Sequence, residues 1–125
     1  MRLLAALIFV ATPLAAADVP SGQQITLHEV LVDSQPESTW LRFRFLAPQI
    51  ARGDTQLDYA TAAPDMVHLC DALAVPYIAK YELEADVIVI SLMDRITDFA
   101  VPDPDATQFF EAFRIENASC IWEDF

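Results

Sequence analysis

One short apolar run constrains the fold more than any other feature of this sequence. Residues 87–92 read Val-Ile-Val-Ile-Ser-Leu, begin with β-branched side chains, and lie between Asp86 and Asp94. In an extended conformation, this run places apolar side chains on both faces of the strand. A strand of that kind has to be covered on both faces, as in the interior of a sheet. The sequence therefore predicts that residues 87–92 form the central strand of a small sheet.

The N-terminal residues have the three parts of a secretory signal peptide. Arg2 supplies positive charge, residues 3–10 are apolar, and residues 15–17 are alanines of the size that a signal peptidase accepts. The apolar stretch is shorter than the about 20 residues of a membrane-spanning helix, which argues against an uncleaved anchor. We therefore expect a signal peptide at residues 1–17, a single domain at residues 18–125, no membrane insertion after cleavage, and a periplasmic or secreted location.

The charge balance limits the partners that this chain can have. It holds 19 acidic and 7 basic residues, which gives a formal net charge of −12 at pH 7. An acidic surface repels phosphate backbones and anionic lipid headgroups, so nucleic acids and membrane surfaces are poor partners. Cationic proteins, cationic ligands or divalent metals are better candidates, and the partner that we expect is an unidentified periplasmic protein. The plain alternative is that the acidity only keeps a small secreted protein in solution.

The order of predicted elements is strand, strand, helix, strand and terminal hairpin. We predict strands at 25–32, 39–46, 87–92, 109–116 and 120–125, and a helix that opens at Pro64 and ends near Val75 because Pro76 follows. Residues 57–62 are predicted to be a short edge strand or an extended linker. The expected fold is α+β with two layers, in which one main helix packs on one face of a mostly antiparallel four- or five-stranded sheet. The proline-rich segment after Asp94, or a second copy of the chain in a homodimer, is expected to cover the other face.

Cys70 and Cys120 are the two cysteines of the chain. In an oxidising compartment they are expected to form a disulfide. By loop entropy, closing about 50 residues stabilises a protein by roughly 4 kcal/mol. The alternative is a free redox or nucleophilic thiol, which no C-x-x-C motif supports.

Four stretches resemble a family of small secreted proteins of Gram-negative bacteria that is known only as a domain of unknown function. They read LRFRFLAP at residues 41–48, DYATAAPDMVHLC at 58–70, VIVISLMDR at 87–95 and ATQFFEAFRIENASCIWE at 106–123. The resemblance covers most of the chain after the signal peptide. It implies a single periplasmic domain, and it implies no activity and no catalytic residue.

A polar group on the predicted helix is the first candidate site. Helical spacing places His68 between Asp65 and Asp71 on the side opposite the apolar arc. Such a group is suited to weak metal binding or to proton transfer, with His28 as a further partner if its strand lies beside the helix. The simpler interpretation is a solvated helix face with pairs of charges at i,i+3 spacing.

Two arginines on the second predicted strand are the other candidate site. Arg42 and Arg44 share a strand face with Trp40. Ion pairs with acids on a neighbouring strand would account for them. The alternative is a site in which the arginines hold a carboxylate ligand and Trp40 forms a wall.

Motifs for catalysis and for structural metals are missing from the sequence. It contains neither Gly-x-Ser-x-Gly nor His-Glu-x-x-His, and the acids near Asp103 lack the glycine of a calcium loop. We therefore expect a non-catalytic protein-interaction or binding module without metal or cofactor. The alternatives are a small hydrolase or metal-dependent enzyme that uses His68, and a binder of a small carboxylate.

Overall fold

A computed structural model of the chain describes residues 16–123. Within them, six strands form one mixed sheet in the order β1-β2-β3-β4-β5-β6. The strands are β1 (Ala16–Ala17), β2 (Ile25–Gln35), β3 (Ser38–Leu46), β4 (Val87–Met93), β5 (Gln108–Glu116) and β6 (Ser119–Trp122). Strand β1 lies in the predicted signal peptide, of which residues 1–15 are outside the described part of the chain.

One continuous helix of residues 59–80 packs on one face of this sheet. It consists of α1 (Tyr59–Leu69), a π-helical turn (Cys70–Ala74) and α2 (Val75–Lys80), and a 3₁₀ turn (Pro48–Ile50) precedes it. The α+β class and the single main helix are as predicted. The predicted helix start at Pro64 and the extended residues 57–62 are wrong, because the Asp58 side chain caps α1 by accepting from the Thr61 N–H.

The helix also continues through Pro76, where the sequence predicts its end. A proline within a helix removes one hydrogen-bond donor and its ring crowds the carbonyl four residues earlier. Here a π turn comes directly before Pro76, and the Val75 N–H donates to the Cys70 carbonyl, five residues back. The wider turn gives the proline ring room, so the helix runs on to Lys80.

The sheet is larger and less antiparallel than predicted. Strands β3 and β4 are parallel, and the other neighbouring strands are antiparallel. The parallel pair follows from the connection, since the chain leaves β3, forms the helix on one face and returns to enter β4 in the same direction. The expectation of four or five mostly antiparallel strands is therefore corrected to six strands in a mixed sheet.

The central strand is placed as predicted. Strand β4 lies between β3 and β5, and Ile88, Ile90 and Leu92 are fully buried against the helix. Their neighbours on the opposite side, Val89 and Met93, are also buried. We call the side that carries the helix the inner face of the sheet and the opposite side the outer face.

A β-bulge between Leu27 and Glu29 changes which side chains of β2 face the helix. Leu27 of β2 is paired with Phe45 of β3, and the next pair of residues along the two strands is Glu29 with Arg44. One residue of β2 between these pairs therefore has no partner on β3. The extra residue reverses the alternation beyond this point, so Glu29 shares the outer face with Arg44. Simple alternation along residues 25–32 would place Glu29 on the same side as Ile25 and Leu27, and the bulge is the reason that it does not lie there.

The predicted disulfide is present. Cys70 and Cys120 are bonded, with their Cα atoms 6.1 Å apart, and no free cysteine remains. The bond joins the π turn of the helix to β6. No helix among residues 16–123 has the length and apolar character needed to cross a membrane.

Residues 94–107, here named the covering segment, connect β4 to β5. Both ends are fixed by the Asp94 N–H, which donates to the Thr107 carbonyl over 3.0 Å, and by the Thr107 N–H, which donates to the Asp94 carboxylate over 2.7 Å. In the middle, Thr97 is buried and accepts from Arg44 of β3. Because Arg44 lies on the outer face, the covering segment crosses that face, as the sequence predicts.

Candidate functional site

An open groove of about 390 Å³ lies on the outer face, between the sheet and the covering segment. Its polar lining comes from β3, β4, β5 and the covering segment and comprises Arg42, Arg44, Ser91, Gln108 and Asp98. Its apolar lining comprises Val89, Phe99, Ala100, Val101, Pro102 and Phe110. Apolar walls with a few polar groups among them are typical of ligand sites.

The two arginines lie side by side because alternate residues of β3 point to the same face. The Phe99 ring of the covering segment lies over both of them, with its centroid 5.1 Å from the Arg42 guanidinium carbon and 5.8 Å from that of Arg44. Arg42 also stacks on the Trp40 ring at 5.3 Å. The rings hold the guanidinium planes in place, and the ring faces favour the positive charge.

The donors of Arg44 are engaged within the protein. Its Nη1 pairs with Glu29, and its Nη2 donates to the Thr97 carbonyl over 2.8 Å and to the Thr97 hydroxyl over 2.9 Å. Only 5% of the residue is exposed. Arg44 therefore fastens the covering segment to the sheet.

The donors of Arg42 are only partly engaged. Its Nε donates to Asp33 Oδ2 over 3.1 Å, and its Nη2 forms an ion pair with the same oxygen at 3.0 Å. A guanidinium has five N–H donors in a planar fork, so others have no partner among residues 16–123 and are open to a ligand. With 21% of its side chain exposed, Arg42 is also the more accessible of the two arginines.

Two of the chain's 7 basic residues face this groove. Its charged lining is Arg42, Arg44 and Asp98, and each arginine also pairs with an acid of β2 outside the lining, Arg42 with Asp33 and Arg44 with Glu29. Two arginines and three acids leave no net positive charge at this site. The groove therefore offers a ligand directed N–H donors rather than an excess of positive charge.

The turn that carries Phe99 has a strained backbone. The Val101 N–H donates to the Asp98 carbonyl over 3.2 Å, which closes a four-residue turn, and Ala100 in this turn has φ = 66°. A type II turn needs a positive φ at this position, where glycine is the usual residue. Strained positions of this kind concentrate at binding and catalytic sites.

Trp40 is beside the groove and does not line it. Its Nε1 donates to the Ser38 hydroxyl over 3.1 Å. Phe99 and Phe110 form the aromatic walls instead, and both are well exposed. Phe110 has a sequence signal that our prediction missed, since in the pair Phe109-Phe110 one ring must point outward from a strand. No alternation marks Phe99, which lies in a loop.

The polar group predicted on the helix is not assembled as a site. His68 is exposed, and Asp71 accepts from the Cys120 N–H over 2.8 Å. Asp65 is fully buried, contrary to the expected solvated helix face, and it accepts from the Ser21 N–H, the Ser21 hydroxyl and Gln23 Nε2. The cause is the segment before β2, which folds over the helix.

Asp94 and Asp103 of the covering segment are used in local contacts. Asp94 pairs with Arg95 over 3.0 Å, and Asp103 accepts from the Asp105 N–H. Burial raises the pKa of Asp94, but hydrogen bonds from Arg95 and from the Thr107 N–H outweigh it and lower the pKa below its usual value. Among residues 16–123, no group of three or more histidine, cysteine or acidic side chains is arranged to hold a metal ion.

Among known protein families, the model of a family of unknown function, DUF6497, matches residues 4–125. No curated protein and no solved structure matches the chain.

Proposed function

The chain belongs to this family of unknown function, and we propose that it is a non-catalytic binding module whose ligand or partner occupies the groove on the outer face. The observation that carries the proposal is the pairing of two arginines with exposed aromatic rings in this groove. Buried or half-buried cations under aromatic rings give both orientation and affinity to a binding site.

The exposed apolar side chains around the groove support the same conclusion. Phe110 is 67% exposed, and Val101 and Phe99 of the covering segment are 55% and 45% exposed. Exposed apolar side chains that cluster beside a groove are characteristic of binding surfaces.

The location that we propose is the periplasm or the extracellular space. The disulfide supports it, because such bonds persist in oxidising compartments. The N-terminal sequence supports it through its charge, its apolar stretch and its alanines. A hydrolase or metal-dependent enzyme built on His68 has no comparable support, since Asp65 and Asp71 are engaged in structural hydrogen bonds.

Site-specific photocrosslinking in the cells that produce the protein tests the proposal. A photoreactive phenylalanine replaces Phe110 in the groove, and in a matched variant it replaces Tyr81, an aromatic residue 47% exposed at the end of the helix. Intact-mass analysis then detects adducts of small molecules and of proteins alike. We expect a defined adduct at position 110 that is missing at position 81. Equal labelling at both positions, or none at either, would contradict the proposal.

A further inference from the structure

We infer that the groove binds the carboxylate of an organic acid with an apolar body, and that Arg42 is the residue that recognises the carboxylate. This inference rests on the proposed function and names the ligand class for the same groove. Its first support is the guanidinium of Arg42, whose N–H donors are only partly used by Asp33. A carboxylate accepts from such donors through both of its oxygens.

Arg42 and Arg44 have different tasks in this account. Arg44 is buried, and its Nη1 and Nη2 are engaged by Glu29 and Thr97. Arg42 keeps free donors while Asp33 on one side and the rings of Trp40 and Phe99 hold its guanidinium. A fixed planar fork with free N–H groups suits the two oxygens of a carboxylate. Arg44 is the positioning residue, since it fastens the segment that carries Phe99.

A hydroxyl group supplies a second donor in the groove. Ser91 of β4 lies between Arg44 and Phe110 in the sheet register, and it is only half-buried. Its hydroxyl has no hydrogen-bond partner among the described residues. It is therefore free to donate to an acceptor on the ligand.

The apolar lining defines the rest of the ligand. Val89 forms part of the floor, and Phe99 and Phe110 stand on opposite sides of the groove, on the covering segment and on β5. The volume of about 390 Å³ is in the range of small-molecule sites. An aromatic or aliphatic body would bury these exposed rings, and the hydrophobic effect would add to the affinity.

Asp98 opposes the binding of an anion. Its side chain is exposed in the groove lining and forms no ion pair among residues 16–123. Because it repels a second negative charge, the groove favours a monocarboxylate over a dianion. Removal of this charge should raise the affinity for carboxylates, whereas removal of a distant acid should not.

Titration calorimetry of the mature protein with three probes of the same shape tests the inference. The probes are 4-phenylbutanoate, 4-phenylbutan-1-ol and 4-phenylbutan-1-amine, which carry a negative, a neutral and a positive head group. A charge-assisted hydrogen bond changes affinity by about tenfold or more, so we expect the acid to bind at least about tenfold more tightly than the alcohol. The amine should bind more weakly than either.

Three variants complete the test. Arg42→Gln should remove the preference for the acid over the alcohol while the alcohol still binds. Asp98→Asn should raise the affinity for the acid about twofold to fivefold, from the loss of one nearby like charge at a surface site. The matched control Asp54→Asn removes an exposed acid outside the groove lining and should leave the affinity unchanged.

The outcomes separate this inference from the proposed function. Equal affinities for acid and alcohol, or a preference for the amine, would overturn carboxylate recognition and leave the groove as a binding site. An acid preference that persists in Arg42→Gln would overturn the role of Arg42. Failure of all three probes to bind would overturn the ligand class, and the crosslinking at position 110 would still decide the function of the groove.

Discussion

Asp65 is fully buried, although helical spacing places it on the polar side of the predicted helix. Periodicity describes one helix in isolation, and it does not show that Ser21 and Gln23 fold back over that helix. Arg44 is a similar case, because its buried position depends on the covering segment. Residue spacing therefore predicted the cysteine pair, but it did not show which charged side chains are buried.

The turn between β5 and β6 allows a test at a single residue. Asn117 and Ala118 both have positive φ, 54° and 63°, in a two-residue hairpin turn. Alanine is strained in this conformation, and glycine is not. We expect Ala118→Gly to raise the free energy of unfolding by about 0.5–1 kcal/mol after the entropic cost of glycine. Denaturant unfolding measures it.

Asn117→Gly is the matched control for this substitution. Asparagine tolerates positive φ better than alanine does, so the control should change the free energy of unfolding much less. A loss of stability in Ala118→Gly would show that this turn is not of the described type.

The carboxylate of Asp94 makes stability depend on pH. Its pKa is lowered on folding, because the hydrogen bonds from Arg95 and Thr107 outweigh the effect of burial. The charged form therefore stabilises the fold above the unfolded-state pKa of about 3.9, and this contribution is lost as the pH falls through the lower folded pKa. Compared with Asp94→Asn, the wild type should be more stable at about pH 7, and the difference should shrink below about pH 4.

Unfolding curves of the wild type and of Asp94→Asn across this pH range measure the difference in their free energies of unfolding. Asp54→Asn serves as the control, since Asp54 is exposed and makes no described hydrogen bond. A stability difference between wild type and Asp94→Asn that grows in acid would contradict the stated pKa direction.

At the scale of elements, the sequence predicts strands better than it predicts helix ends. The predicted bounds of β3 and β4, which come from the alternation of β3 and the apolar run of β4, differ from the observed bounds by no more than one residue. The helix ends were missed because Asp58 caps it before Pro64 and the π turn carries it past Pro76. Those features depend on local hydrogen bonds that residue spacing does not show.

The covering segment depends on Arg44 for its attachment to the sheet. Arg44→Lys keeps the charge but loses the fork that reaches Glu29 and Thr97 together. We expect a loss of about 2–3 kcal/mol in the free energy of unfolding, from a buried ion pair and its hydrogen bonds. Amide hydrogen exchange should also become faster in residues 94–107 than in the rest of the chain.

Arg114→Lys is the matched control, because Arg114 pairs with Glu116 and Glu123 and makes no described contact with the covering segment. It should leave hydrogen exchange in residues 94–107 almost unchanged. If Arg44→Lys altered exchange in the helix as much as in residues 94–107, the role of Arg44 as the fastening of this segment would be refuted.

At the scale of the whole molecule, the two faces of the sheet have different roles. The inner face and the helix form the apolar core, and the disulfide joins the helix to β6. The outer face carries the arginines and is covered in part by residues 94–107. The apolar run of β4 predicted this division, because a strand that is apolar on both faces has to be covered on both faces. The groove itself was not predictable from the sequence. Phe99, which forms one of its walls, lies in a loop, where no alternation of residues indicates the direction of a side chain.

The most direct test of the account is to locate bound ligand by NMR. In a titration of the ¹⁵N-labelled mature protein with 4-phenylbutanoate, we expect saturable shifts of the backbone amides around Arg42, Ser91, Phe99 and Phe110. Amides on the exposed side of the helix should stay unchanged. Shifts centred on His68, or spread evenly over the surface, would contradict the assignment of the binding site to the outer face.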